Sequence, residues 1–283
     1  MTHHNLQDLG PLSGPVLIFG GPHSNLAATR KMRAEAERLA IPAARIICTG
    51  DVVAYCADPV ETVALVRDWG VALVQGNCEE SLGRAAADCG CGFEEGTTCS
   101  LLSVDWYRYA NGCMTENDRA WMRQLPAAIR FTLNGKSILV VHGGVAQINR
   151  FIFPSTAKEV KREELDRAGT DILIGGHSGI PGGQAVDGRF WLNSGAIGMP
   201  ANDGTRDGWY LLLIPEDGGV RCRWQRLCYP VDTTVASMRA AGFASGYSDT
   251  LQTGLWPSMD VLPASERKGR GQPLVLEDLV IPA

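Results

Sequence analysis

Short apolar runs that stop at glycine dominate the first two thirds of the chain. Four such runs are followed within a few residues by a polar side chain that can ligate a metal, and a fifth apolar run, Ile138–Val141, ends directly at His142. With that final residue included, the runs are Val16–His23, Arg45–Asp51, Val71–Asn77, Ile138–His142 and Asp171–His177. A β-branched run that ends at glycine is typical of a buried strand followed by a loop. The pattern therefore predicts five strands with His, Asp, Asn, His and His at their ends.

These five polar residues are expected to lie together, because strands of one sheet share their ends at one edge. Apart from His3 and His4, every histidine of the chain belongs to the set. A single histidine after a strand is usually a hydrogen-bonded surface residue, but five repetitions favour a metal site. Imidazole, carboxylate and amide donors suit Zn, Mn or Fe. We therefore predict one or two divalent transition metal ions bound by His23, Asp51, Asn77, His142 and His177.

Between the strands, apolar residues recur at helical spacing. Helices are predicted over Leu26–Leu39 and Val60–Trp69, the second opened by Pro59 at its first turn. Alternation of strand and helix indicates parallel β-α-β units. The segment Cys78–Arg123 is expected to hold a helix, a cysteine-rich loop and a second helix that starts at Thr115.

Later in the chain, hairpins replace the alternating pattern. Asn134-Gly135 and Asp187-Gly188 each separate two strand-like runs, as in tight hairpins. A third hairpin is expected to turn near Asp217. Helices are predicted over Thr156–Ala168 and Thr233–Ala241.

Composition narrows the class of protein. The chain has 283 residues, 45% of them hydrophobic, and a net charge of -5. This charge gives no electrostatic footprint for nucleic acid or acidic membranes, and no apolar run is long enough to span a bilayer. An apolar signal core at the N-terminus is also missing, which predicts a cytoplasmic protein. Nine cysteines, an odd number, fit reduced thiols better than a disulfide framework.

The polar strand ends resemble the motifs of the calcineurin-like metallophosphoesterases, which are D-x-H, G-D, G-N-H-[DE], H-G and G-H-x-H. The matching segments are Gly21-Pro22-His23, Gly50-Asp51, Gly76-Asn77-Cys78-Glu79, His142-Gly143 and Gly176-His177-Ser178-Gly179. The resemblance extends from about Val16 to Ile214, and the small bacterial phosphoesterases that include diadenosine tetraphosphate hydrolases are the most similar subgroup. It implies an α/β fold with a two-sheet β-sandwich core flanked by helices (α/β/β/α layers). It also implies metal-dependent phosphoester hydrolysis of a small phosphorylated substrate.

The same resemblance predicts the domain organisation. Residues 15–230 are expected to form the metallophosphoesterase domain, and residues 1–14 a loose lead-in. Residues 231–283 are expected to form a helix and an irregular tail packed on the domain. Within that tail, Leu251–Pro257 is a candidate for folding back over the mouth of the site, and the glycine-rich loop Asn193–Gly198 is either a phosphate cradle or a plain turn.

Three departures from the family motifs affect the site. The resemblance implies one complete metal position, formed by Asp51, Asn77, His142 and His177. In the neighbouring position Gly21 replaces an aspartate and Gly179 replaces a histidine, which leaves His23 and the bridging Asp51. Cys78 stands where the family has a proton-donating histidine, and is our candidate catalytic residue.

Thiolates are the obvious replacements for the missing ligands. Cys89, Cys91 and Cys99 form a cluster along the sequence and are either additional metal or redox residues or simple loop packing. Three hypotheses follow. The first is a metal-dependent phosphoesterase with an altered, mononuclear or thiolate-assisted site. The second is a catalytically impaired protein that binds metal or nucleotide, and the third is an enzyme that uses the metal and cysteines for redox or sulfur chemistry.

Overall fold

Two six-stranded sheets form the centre of the molecule. The structure is a computed structural model that describes residues 5–242 and 246–283, so His3 and His4 lie outside the described residues. In chain order the strands are β1 Leu6–Leu12, β2 Val16–Phe19, β3 Ile46–Cys48, β4 Ala72–Leu73, β5 Ala128–Leu133, β6 Lys136–Val141, β7 Ile172–Gly175, β8 Gly182–Val186, β9 Arg189–Asn193, β10 Gly208–Glu216, β11 Gly219–Leu227 and β12 Leu279–Pro282.

Helices connect and flank the strands. In chain order they are α1 Leu26–Arg38, α2 Pro59–Trp69, α3 Asn77–Gly83, α4 Thr98–Cys113, α5 Glu116–Gln124, α6 Lys158–Ala168, α7 Val231–Ala240, α8 Tyr247–Thr253 and α9 Ala264–Lys268. Within residues 5–242 and 246–283, no helix is both long enough and apolar enough to cross a membrane.

The strand order brings the predicted site strands together in two groups. One sheet has the order β12-β11-β10-β2-β3-β4, and the other β1-β5-β6-β7-β9-β8. Strands β2, β3 and β4 are parallel to one another, as are β6, β7 and β9. The five strand ends therefore come from two sheets, three from the first and two from the second. The expectation of a single sheet edge is wrong in this respect.

The uninterrupted apolar runs are explained by burial on both faces of the strands. In β2, Val16 and Ile18 pack into the core between the sheets. Leu17 and Phe19 point to the opposite face and pack with α1 residues such as Met32. A strand covered on both faces shows no polar alternation.

Three parts of the chain differ from the sequence prediction. The expected lead-in contains β1, which pairs in parallel with β5. Its sequence, with Gly10, Pro11 and mostly exposed side chains, carries no strand pattern. The cysteine-rich loop is followed by an additional helix, α4, before α5.

The tail is also more regular than expected, since it contains α8, α9 and β12. Its buried side chains Leu251, Leu262 and Ile281 show how these short elements are held by tertiary packing. The division into a domain over residues 15–230 and a tail over 231–283 stays a prediction.

The core between the sheets yields a matched stability test. Leu211 on β10 is fully buried there, whereas Leu101 on α4 is 64% exposed. We expect Leu211→Ala to lower the free energy of unfolding by about 3–5 kcal/mol because it leaves a cavity. Leu101→Ala should change it by less than about 0.5 kcal/mol. Urea unfolding followed by circular dichroism measures both, and equal losses would contradict the assignment of the core.

Candidate metal centre

The five predicted ligands lie where the two groups of strands end. His23 follows β2, Asp51 follows β3, and Asn77 is the first residue of α3 after β4. His142 and His177 follow β6 and β7 in the other sheet. All are buried except His177, which is half-buried. The structure therefore brings together side chains that are far apart in the sequence.

His142 lies at the middle of this group. Its Nε2 atom is 2.9 Å from Asn77 Oδ1, 3.0 Å from His177 Nδ1 and 3.3 Å from Asp51 Oδ2. Its Nδ1 atom is 2.7 Å from the carbonyl oxygen of Thr49. Because a carbonyl can only accept, Nδ1 carries a proton, so Nε2 presents a lone pair whenever the ring is neutral.

The lone pairs of several side chains thus face one another in a buried position. The amide of Asn77 is held in this orientation because its Nδ2 donates to the carbonyl oxygen of Cys89 at 3.0 Å. Ligand atoms of Asp51, His142 and His177 all lie within 4.8 Å of one another. A cation among them would turn repulsion between acceptors into coordination. With Asn77 the set has four donors, which is the usual number for zinc and suits related ions.

The protonation states of His23, His177 and Asp51 also fit a cation. Burial alone would lower the pKa of His142, but the neighbouring Asp51 carboxylate outweighs it and the pKa is raised, so an ion would take the place of a proton on this ring. Burial lowers the pKa of His23 to about 4 and, together with neighbouring His142, that of His177 to about 3. Burial alone would raise the pKa of Asp51, but the surrounding histidines outweigh it and the pKa is lowered. His23 and His177 are therefore neutral at pH 7 and Asp51 is ionised, as metal ligands must be. Within the described residues, His23 Nδ1 and His177 Nε2 have no hydrogen-bond partner.

Glu79 is a site residue that the sequence analysis did not single out. Its fully buried carboxylate accepts from the backbone N–H groups of Asp51 at 2.8 Å, Gly76 at 3.0 Å and Val53 at 3.2 Å. It thereby fixes the loop after β3 against the loop after β4. Burial raises the pKa of Glu79 to about 7. An acidic residue at the third position of α3 is a capping signal that pointed to this role.

The two glycines that stand where the family motifs have ligands differ in the space beside them. A Cβ atom on Gly21 would lie 2.4 Å from ring atoms of His23, so the ring occupies the space beside that glycine. At Gly179 a Cβ atom would approach Trp256 and Ala196 no closer than 3.8 Å. The backbone N–H of His23 donates to the carbonyl oxygen of Asp51 at 3.1 Å, which keeps His23 beside the centre.

Cys78 lies next to the centre, but its thiol is directed into the protein core. Its backbone N–H donates to Asp51 Oδ1 at 3.2 Å, while its side chain is fully buried in the cluster beneath the helices. Burial, reinforced by Asp51 and Glu79, raises the pKa of the thiol well above its ordinary value. These surroundings favour the protonated thiol, and Cys78 lies outside the group of described residues that has metal-ligand spacing.

The other predicted cysteines do not form one cluster. Cys89 and Cys91 are joined by a disulfide, so the expectation of reduced thiols is wrong for this pair. The Cys91 sulfur lies 3.5 Å from Asn77 Nδ2, whereas Cys99 is a free thiol on the wall of a cleft. In the described part of the chain, the group with metal-ligand spacing is Asp51, His142 and His177, without a cysteine.

The glycine-rich loop over residues 193–198 is a structural turn. Its backbone N–H groups at Ile197 and Gly198 donate to the carbonyl oxygens of Gly20 and Gly21, each at 2.8 Å. The N–H of Gly195 donates to Asn193 Oδ1 at 2.8 Å. Because these three donors are used within the protein, they are not available to a phosphate, which favours the plain turn.

A cleft of about 600 Å³, its open mouth included, gives access to His23 and His177. The tail segment predicted to fold over the site does so, since Trp256 and Pro257 line this cleft. Trp256 is fixed by two hydrogen bonds, from its Nε1 to the carbonyl oxygen of Pro200 at 2.7 Å and from its N–H to Asn202 Oδ1 at 2.8 Å.

Comparisons with known proteins agree with this fold. Two crystal structures share the fold over 86% of this chain: a metallophosphoesterase from Sphaerobacter thermophilus (TM-score 0.65, 22% identity, all of that chain) and hypothetical protein PH1004 from Pyrococcus horikoshii (TM-score 0.72, 14% identity, 99% of that chain). The uncharacterized protein MJ0912 of Methanocaldococcus jannaschii is 25% identical over 185 residues, which are 64% of this chain and 69% of that protein.

The α/β fold with two sheets flanked by helices is thus confirmed. A family model, described as the calcineurin-like phosphoesterase superfamily domain, matches residues 15–217. This match spans well over half of the chain, and it covers all five strand ends that carry the predicted ligands. The chain therefore belongs to the calcineurin-like phosphoesterase superfamily.

Proposed function

We propose that this protein is a metal-dependent phosphoesterase whose ion is bound by Asp51, Asn77, His142 and His177. The observation that carries the proposal is the convergence of acceptor atoms on His142 Nε2, within 2.9–3.3 Å. Family membership supports the reaction class. The donor set favours Fe, Zn or Mn over Mg, because two of the four donors are imidazoles.

Each ligand has its own part in this site. Asp51 supplies the negative charge, and Glu79 holds its loop in place through the backbone. His142 is oriented by the carbonyl oxygen of Thr49, and Asn77 by that of Cys89. A divalent ion, when bound, supplies Lewis-acid polarisation of a phosphoryl oxygen and activation of a water. The substrate reaches the centre through the cleft beside His23 and His177.

We infer a site for one ion rather than two. The second family position retains only His23 and Asp51, because Gly21 and Gly179 have no side chains to contribute. Two protein ligands are fewer than a tightly bound divalent ion normally has. His23, neutral and without a partner at Nδ1, is left free to contact a substrate oxygen or a water.

The incomplete second position also favours a second candidate function. A site with one ion can bind a phosphorylated ligand without turning it over, as a sensor would. Turnover distinguishes the two functions, since both require the same ion at the same residues. A redox enzyme has less support, because the Cys99 thiol and the Cys89–Cys91 disulfide do not join the ligand group.

Asp51→Asn tests the metal site directly. An amide oxygen can still accept from the Cys78 N–H, so we expect the variant to fold. Loss of the only carboxylate among the ligands should reduce bound metal by about tenfold or more. Elemental analysis of purified protein measures metal content, and hydrolysis of bis(p-nitrophenyl) phosphate measures activity. Asp105→Asn, at a side chain 75% exposed on α4, is the matched control. Full metal content in Asp51→Asn would contradict the assignment.

Cys78→Ala tests the catalytic role that the motif predicted for this residue. Its burial in the core argues for a structural role, so we expect a loss of stability of about 1–2 kcal/mol and kcat within about threefold of wild type. A lost proton donor would instead lower kcat by about 100-fold or more. Cys222→Ala, at another fully buried free thiol in the core between the sheets, is the control for packing.

A further inference from the structure

The cleft over the metal centre has an aromatic wall. Apart from His23 and His177, its rings belong to Tyr55, Phe93, Phe151, Tyr247 and Trp256. Further apolar side chains complete it, namely Ala196, Met199, Pro200 and Val261. The polar residues of the lining are neutral, such as Ser178, Thr250 and Ser258. A substrate that fills this cleft therefore places an apolar group beside the reacting phosphorus.

Two of the aromatic rings, those of Tyr55 and Phe151, are in contact with the histidines of the centre. The Phe151 ring centroid lies 4.3 Å from that of His177 and 5.8 Å from that of Phe153. The Tyr55 centroid lies 4.9 Å from that of His23 and 4.4 Å from that of Tyr247. These rings are already ordered before a ligand binds. The protein therefore loses little conformational entropy when a flat aromatic group stacks on them.

The charge of the cleft limits the charge of the substrate. Among the residues described as lining it, none is Lys or Arg. Basic side chains are the groups that would balance additional phosphate charges. A phosphodiester carries one negative charge, whereas a polyphosphate carries several that nothing in the cleft would balance.

We propose that this cleft selects phosphodiesters that carry a single negative charge and a flat aromatic group, with Trp256 and Phe151 as the specificity-determining side chains. The inference rests on the proposed function for the position of the ion, and it adds the class of substrate. Dinucleoside polyphosphates are excluded by the same argument, in spite of their aromatic bases.

Two esters with the same leaving group test the aromatic preference. Phenyl p-nitrophenyl phosphate and methyl p-nitrophenyl phosphate both release p-nitrophenolate, and only the remaining group differs. The two esters differ in intrinsic reactivity, so kcat/KM for each is divided by its hydrolysis rate with Mn²⁺ and no protein. We expect this ratio to be at least tenfold higher for the phenyl ester. Equal values would overturn the inference. So would faster turnover of diadenosine tetraphosphate than of the phenyl ester.

Substitutions at Trp256 test whether the preference for the phenyl ester comes from the aromatic lining of the cleft. We expect Trp256→Ala to reduce the phenyl-to-methyl ratio by about tenfold, since one stacking face is lost. Trp256→Phe keeps an aromatic face and should restore most of the ratio. Trp121→Ala, on α5 and half-buried outside the cleft, should leave the ratio unchanged. Phe151→Leu gives an independent test if Trp256→Ala does not fold. An unchanged ratio in the folded cleft variants would overturn the inference.

Binding without turnover separates this inference from the proposed function. Calorimetric titration of the Mn²⁺-loaded protein should show that diphenyl phosphate binds at least tenfold more tightly than dimethyl phosphate. If no ester is hydrolysed but this difference is present and depends on Trp256, the hydrolase proposal fails and the binding preference stands. If the two compounds bind equally, the preference is wrong even when the protein hydrolyses esters.

Discussion

The constraint on which the structure depends is the meeting of four acceptor groups at one buried point. These groups are Nε2 of His142, Nδ1 of His177 and the oxygens of Asn77 and Asp51, and a cation or a proton between them makes them compatible neighbours. The protein positions three of them by hydrogen bonds on the side away from this point. The carbonyl oxygens of Thr49 and Cys89 orient two of the side chains, and the Glu79 carboxylate fixes the loop of the third. This is the arrangement expected of a site built for a positive ion.

Much of the fold could be predicted from the sequence because its signals are local. The strands that precede the ligands are buried on both faces, so their sequences are uninterrupted apolar runs. Asn134-Gly135 marks the hairpin of β5 and β6, and Asp187-Gly188 marks that of β8 and β9. Strand β1 and the elements α8, α9 and β12 gave no such signal. Each is short or largely exposed, and it is held by its neighbours: β1 by the edge of β5, and β12 by β11. Tertiary contacts of this kind are not encoded in local periodicity.

The site shows the same division. His142 and His177 could be recognised as members of one group because each comes at the end of an apolar run and next to a glycine. The sequence could not show that they come from a different sheet than Asp51. Nor could it distinguish a phosphate-binding loop from a plain turn at residues 193–198, because the difference lies in which carbonyls the loop amides contact. The position of Cys78 matches a catalytic motif, yet its side chain follows the packing of α3 into the core.

The origin of the ligands in both sheets has a thermodynamic consequence. An ion in the proposed site would be held by Asp51 and Asn77 from one layer and by His142 and His177 from the other, and would connect the two layers. Such binding would require the folded chain, so it would add free energy of folding that grows with the ratio of free ion to its dissociation constant, about 2.7 kcal/mol at a hundredfold excess. The stability of the folded chain would thereby depend on the supply of trace metal around it.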